Sequence, residues 1–289
     1  MPLPSAPPPP KAGGCKVIAI VNQKGGVGKT TTAINLSSAL AQRNIATLIV
    51  DCDPQGNTTS GFGIPRSTQP NVYDLILSRS NASSAVLQTV VANLFIIPAG
   101  RDLIGANLDL VSIDAREYRL RTALEALRNT YSFIILDCPP ALDLLTLNVL
   151  TAADSLLVPV QAEYFALEGI SELMNTLDRV SQSLNPSLSL EGVLLTMYDD
   201  RTNLAQEVTH NLQSFFGSKL FKTTIPRSIR LAEAPSHGKP ISLYDPRSRG
   251  SMAFEELATE LLERNKITHA PAKQSNTGPG CLAGTCRTA

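Results

Sequence analysis

The sequence predicts an α/β protein in three layers, a mostly parallel twisted sheet with helices on both faces. Short β-branched runs alternate with helical patterns along most of the 289 residues, which is the order that βαβ units impose. Several of those runs, such as residues 133–136, are apolar throughout, as strands covered by helices on both sides must be. A composition of 43% hydrophobic and 17% charged residues supplies one core of ordinary size and excludes wholesale disorder. The apolar runs are strand-length, far short of the roughly 18 to 20 residues that cross a bilayer, so an integral membrane protein is excluded as well.

Residues 1–14 read MPLPSAPPPPKAGG, with neither a basic start nor an apolar stretch. They are expected to be a disordered Pro-rich leader, not an export signal, on a chain that stays in the cytoplasm. Strands are expected at 17–21, 47–50, 94–97, 133–136, 155–160, 193–197 and 219–225, and helices at 30–42, 118–129, 144–152, 167–183, 204–216 and 252–266. No internal repeat or boundary interrupts them, so residues 15–268 read as one domain. Residues 269–289, rich in Pro, Gly, Ser and Thr, read as a disordered tail. Five cysteines at 15, 52, 138, 281 and 286 are irregularly spaced without a C-x-x-C, which indicates neither a disulfide framework nor a zinc ribbon. Cys52 and Cys138 stand in strand contexts and read as small apolar fillers. Lys plus Arg equals Asp plus Glu at 25 each, so nucleic-acid binding requires a local patch.

Directly after the first strand stand Gln23, Lys24, Gly25, Gly26, Val27, Gly28, Lys29, Thr30, Thr31 and Thr32, opening into a helix. Glycines let backbone N–H groups turn inward on a bound phosphate, and the helix N-terminus adds partial positive charge. Lys29 can reach the β and γ oxygens, and the Thr30 hydroxyl can hold Mg²⁺. Gln23 occupies a place where the common pattern has glycine, and Lys24 is an additional cation.

In this form the segment resembles the deviant Walker-A box of the ParA/MinD group of P-loop NTPases. The resemblance implies ATP and Mg²⁺ as ligands, held by residues 24–31. It also implies that Lys24 works in trans, crossing an ATP-dependent homodimer to the partner's nucleotide, where a second cation neutralises charge in phosphoryl transfer.

The second strand runs into Asp51, Cys52 and Asp53, so two carboxylates leave the carboxyl edge of the sheet on the same side. Strand-end aspartates can equally be N-caps or turn formers. The resemblance gives Asp53 the attacking water to orient and Asp51 a supporting place at the magnesium. Residues 133–137 form an apolar strand ending in Asp137, the Walker-B arrangement, in which Asp137 with Thr30 holds the metal; a plain buried strand with a terminal Asp is the alternative. Pro139 and Pro140 then begin a segment that the family uses as a γ-phosphate-sensitive switch.

Later segments, among them residues 146–148, 159–169, 196–199 and 225–236, look like the Soj/ParA branch, and the likeness runs over roughly 16–266. It implies an adenine contact at Pro226 and Ser228 through main-chain groups, although the family usually has Asn where Ser228 stands. It further implies non-specific binding of double-stranded DNA by the ATP dimer, release on hydrolysis stimulated by a ParB-type centromere-binding protein, and a nucleoid-associated location. Residues 201–250 carry eight Lys and Arg against three Asp and Glu, a patch suited to phosphates. Within it Arg201, Arg227 and Arg230 are the main DNA-binding candidates, followed by Lys222 and Arg247; each alone can also be an ordinary surface charge or ion-pair member. Two alternatives stand beside this reading. A MinD-like membrane-associated regulator would need a basic amphipathic face after Lys266, which the sequence does not offer, so no membrane partner is expected. A nucleotide-gated switch with negligible turnover has Asp53 against it.

Overall fold

The computed structural model describes residues 14–164 and 166–267. The expected leader before Gly14, the expected tail, the domain end at 268, and Cys281 and Cys286 lie outside the described residues. Seven strands form one sheet: β1 Lys16–Ile20, β2 Thr47–Asp51, β3 Leu87–Gln88, β4 Leu94–Ile97, β5 Phe133–Asp137, β6 Ser155–Gln161 and β7 Ser189–Thr196. Their order is β3-β4-β2-β5-β1-β6-β7, all parallel except the two-residue β3, which pairs antiparallel with β4 at one edge. The helices are α1 Lys29–Gln42, α2 Asn57–Gly61, α3 Val72–Ile76, α4 Ala106–Asp109, α5 Arg119–Leu124, α6 Leu144–Ala152, α7 Ala166–Ser183, α8 Asn203–Phe216, α9 Ile229–Glu233, α10 Ile241–Tyr244 and α11 Arg249–Arg264.

Strand alternation divides the core in two. Ile18, Ile20, Ile49 and Ile135 face one side with Leu36 and Leu40 of α1 and Phe254, Leu257 and Leu261 of α11. Val17, Ala19, Val50, Ile134 and Leu136 face the other, with Leu145 and Val149 of α6 and Leu173 and Leu177 of α7. Strands buried on both faces carry no polar side, which is why their sequences read as unbroken apolar runs. The register sets Asp137 beside both Asp51 and Ile20, so the ends of β2, β5 and β1 form one ledge. β1 lies between β5 and β6, where the chain departs to either side, and such a reversal opens a crevice at the carboxyl ends of the strands.

The expected strand at 219–225 does not form. Phe221 N donates to Val193 O and Ile225 N to Leu195 O, each at 2.8 Å, but the segment between them leaves the sheet. The Glu260 carboxylate of α11 takes its amides, receiving Lys222 N and Thr223 N at 2.9 Å each, and a captured amide cannot join a ladder. The helix expected at 118–129 is shorter, with α5 ending at Leu124 and a 3-10 turn, Glu125–Leu127, completing it.

Candidate functional site

The loop between β1 and α1 is tied down by its carbonyls. Lys29 Nζ donates to Lys24 O at 3.0 Å, Gln161 Nε2 to Gly26 O at 3.0 Å and Thr196 Oγ1 to Val27 O at 2.8 Å. A loop whose carbonyls are drawn back presents its N–H groups on the opposite side, the geometry of an anion cradle. Gly28 stands before α1 at φ 88° with no side-chain cap on the helix, so the first-turn amides keep their capacity for an anion. That left-handed φ favours glycine, as does φ 75° at Gly26.

On the ledge below, the three carboxylates have different surroundings. Asp51 is fully buried: its Oδ2 accepts Thr59 N at 2.7 Å and Thr59 Oγ1 at 2.6 Å, and its Oδ1 accepts Asp53 N at 3.3 Å. Asp137 is equally buried, its Oδ2 accepting Thr30 Oγ1 at 2.9 Å and Thr58 Oγ1 at 2.7 Å, while Oδ1 is without a partner among the described residues. Asp53 closes a turn, with Gln55 N donating to its Oδ1 at 2.8 Å. Burial, reinforced by Asp137 alongside, pushes the Asp51 carboxyl up to about 7. Burial likewise raises Asp137 to about 6, opposed by its bonds from Thr58 and Thr30. Burial also lowers Lys29 from its ordinary value, against the pull of Asp137.

Two buried acids crowded together with a buried lysine favour the arrival of charge that neutralises them. The donor set fits Mg²⁺: an orphaned buried carboxylate oxygen beside a helix-start hydroxyl is the kind of partial shell that Mg²⁺ completes with waters and phosphate oxygens. Asp51 has both oxygens engaged, Oδ2 by Thr59 and Oδ1 by the longer bond from Asp53 N.

Beyond the loop, a cavity of about 310 Å³ opens between Gly28 and Thr31 on one side and Pro226, Ser228 and Leu231 on the other, floored by Thr196 and Phe254. Its size and largely apolar walls accept an aromatic base. Lys24, about half exposed, makes an ion pair with Glu163 of its own chain. Among the basic candidates, Arg201 is held by Asp199 at 2.6 Å and 2.8 Å, and Arg230 by Glu233 at 3.0 Å and Asp245 at 3.6 Å. Arg227, Lys222 and Arg247 are exposed. The net charge of the 201–250 window overstates the patch, because Asp199 and Asp200 lie just before it and Asp199 folds back on Arg201.

Comparison with known proteins agrees with this geometry. A family profile described as an AAA domain matches residues 15–190. The sporulation initiation inhibitor protein Soj of Bacillus subtilis is 53% identical over 247 residues, spanning 85% of this chain and 98% of that protein. The chromosome partitioning protein ParA of Caulobacter vibrioides is 47% identical over 260 residues, spanning 89% of this chain and 97% of that protein. The chain belongs to the ParA/Soj family of chromosome-partitioning ATPases. Likeness in three dimensions reaches further: a Mycobacterium smegmatis structure described as cobyrinic acid a,c-diamide synthase with bound ADP and magnesium shares 35% identity at a TM-score of 0.77, covering 87% of this chain and 96% of that one.

As a ParA/Soj-family ATPase the chain shows residues that sequence reasoning passed over. Thr58 and Thr59, in a helix of only five residues, bind the two buried aspartates; two hydroxyls a few residues past Asp53 were the available signal. Thr196 and Gln161 anchor the loop from β7 and β6, at separations in sequence of 169 and 135 that carry no local pattern. Cys52 and Cys138 are buried and their thiols are raised by burial, as suits apolar fillers.

Proposed function

We propose that this chain is an ATP-driven DNA-partition switch: two copies close face to face on ATP and Mg²⁺, hold double-stranded DNA without sequence preference, and let go on hydrolysis stimulated by a ParB-type centromere-binding protein. The single observation that carries the reading is Asp137 Oδ1, unpartnered among the described residues and buried beside the Thr30 hydroxyl at the open start of α1. In the bound state Lys29 and the amides of residues 25–31 hold phosphate, Pro226 and Ser228 border the base, and Thr30 and Asp137 hold the metal with Asp51 in support. Magnesium supplies charge neutralisation on the phosphates. Asp53 orients the attacking water, and Lys24 crosses to the partner's nucleotide once its pair with Glu163 is exchanged.

Arg227, Lys222 and Arg247 meet DNA phosphates, and Arg201 and Arg230 join them on leaving their carboxylate partners. Such binding weakens steeply with salt. Residues 15–268 form the single ATPase domain, and the protein works on the nucleoid in the cytoplasm. A Borrelia burgdorferi structure described as a putative plasmid partition protein bound to AMPPNP, 26% identical at a TM-score of 0.74 and covering 86% of this chain, supports the nucleotide assignment. Hydrolysis is measured alone, with duplex DNA, and with DNA plus a cognate centromere-binding protein. Stimulation by the last combination is expected; a rate unmoved by all three, with no ATP-dependent dimer on size exclusion, overturns the reading.

A further inference from the structure

Arg66 follows α2 in sequence and reaches back to the turn from which α2 grows. Its Nη2 donates to the carbonyl of Pro54, the residue next to Asp53. Its Nε is buried without a partner among the described residues. Gly56 makes the room: it stands at φ 63°, and a Cβ there would lie 2.6 Å from Arg66 Nε and 3.2 Å from Cζ. The guanidinium therefore occupies the space that any side chain at position 56 would fill.

The turn it touches is fixed on its inner side by other bonds. Gly56 N donates to Asp53 O at 2.8 Å, and the next residues, Thr58 and Thr59, are fastened to Asp137 and Asp51. These contacts hold the end of the turn, whereas the Pro54 carbonyl at its outer bend is held by Arg66. A planar guanidinium has a rigid fork of donors, so anchoring that bend limits the positions open to the adjoining Asp53.

We infer that Arg66 is a positioning residue for hydrolysis, clamping the 53–56 turn through the Pro54 carbonyl so that the Asp53 carboxylate meets the attacking water in one place. The inference rests on the water-orienting role proposed for Asp53. Arg66 acts through the turn, by the bond it donates to the Pro54 carbonyl.

Steady-state hydrolysis by the full chain, with saturating Mg²⁺ and varied ATP on duplex DNA, tests this. Arg66→Ala is expected to lower kcat about 10- to 100-fold, the cost of a small misplacement of a catalytic group, while the KM for ATP and the ATP-dependent dimer stay within about twofold. Added guanidinium ion restores part of the rate to Arg66→Ala, and Arg66→Lys recovers little. Gly56→Ala lowers kcat similarly, and combining it with Arg66→Ala costs little more, because both act on one contact. An unchanged kcat in folded Arg66→Ala, additive losses in the double variant, or KM rising in step with falling kcat overturns the inference. Should Arg66→Ala not fold, Arg66→Gln is read in the same way. Asp53→Ala, measured in parallel, separates the two claims: wild-type hydrolysis there removes the Asp53 role and this inference with it, whereas an inactive Asp53→Ala beside a fully active Arg66→Ala removes this inference alone.

Discussion

Replacing Asp137 by Asn removes one of two buried carboxyls that stand side by side at the ends of β5 and β2, and without nucleotide it should make the protein more stable. The sign follows from linkage. Folding raises Asp137 from 3.8 to about 6 and Asp51 from 3.8 to about 7, so the folded chain keeps these protons at pH values where the unfolded chain has lost them. Stability from the pair is therefore present below about pH 4, falls as pH rises through the folded values, and is lost above them. At about 1.4 kcal/mol per pK unit, ionising this pair costs the fold about a few kcal/mol. The two penalties share one repulsion and do not add. Asn keeps the shape and still accepts the hydroxyls of Thr30 and Thr58, but its buried amide has no acceptor at the Oδ1 position, which returns about 1 kcal/mol. A net gain of about 2 kcal/mol at pH 8 raises Tm by about 4 to 8 °C in a chain of this size.

Thermal melts of both proteins at pH 5 and pH 8, with EDTA and with Mg²⁺ and ATP, read this out. Their difference should be large at pH 8 and close at pH 5, where both carboxyls are mainly protonated in the fold. Mg²⁺ and ATP should then stabilise the wild type and leave Asp137→Asn unmoved, since the destabilising charge is the one that serves the ligand. An Asn variant that melts at or below the wild type at pH 8 without nucleotide would refute the electrostatic account of this ledge.

Three further outcomes follow from the same geometry. Lys29→Ala should abolish nucleotide binding, read by titration with a fluorescent ATP analogue; retained affinity would take Lys29 out of the phosphate cradle. Asp53→Ala should form a stable ATP dimer on DNA without hydrolysing it, read by size exclusion and phosphate release; a variant that stays monomeric with ATP counts against the cycle. Arg230→Glu should spare ATP-driven dimerisation and lose DNA retention in gel shifts, with the wild type also losing DNA between about 50 and 200 mM salt; undiminished retention removes Arg230 from the interface.

Much of this site was legible because phosphate chemistry restricts the local sequence. A glycine loop between a strand and a helix has few purposes, and an apolar strand with a terminal Asp acquires its meaning from that loop. The strands at the centre of the sheet were readable for a related reason: burial on both faces leaves an unbroken apolar run. The segment at 219–225 mixes apolar residues with Lys and Thr and is no strand, since the amides of Lys222 and Thr223 go to Glu260, nearly forty residues on. The short α2 has no helical period to read, though it supplies Thr58 and Thr59 to the buried aspartates.

The sequence by itself determined the glycine loop between β1 and α1, the layered sheet and the family, because each is written in neighbouring residues or in a two- or three-residue period. Only the tertiary structure decided which Asp137 oxygen stays open, that both Asp51 oxygens accept bonds, that Arg201 and Arg230 are partnered by carboxylates, and that Arg66 fills the space beside Gly56. Those facts depend on competition among donors and acceptors brought together from distant parts of the chain. Such competition is settled by geometry after folding, when each buried polar group takes the partner within reach, and no local pattern records the result.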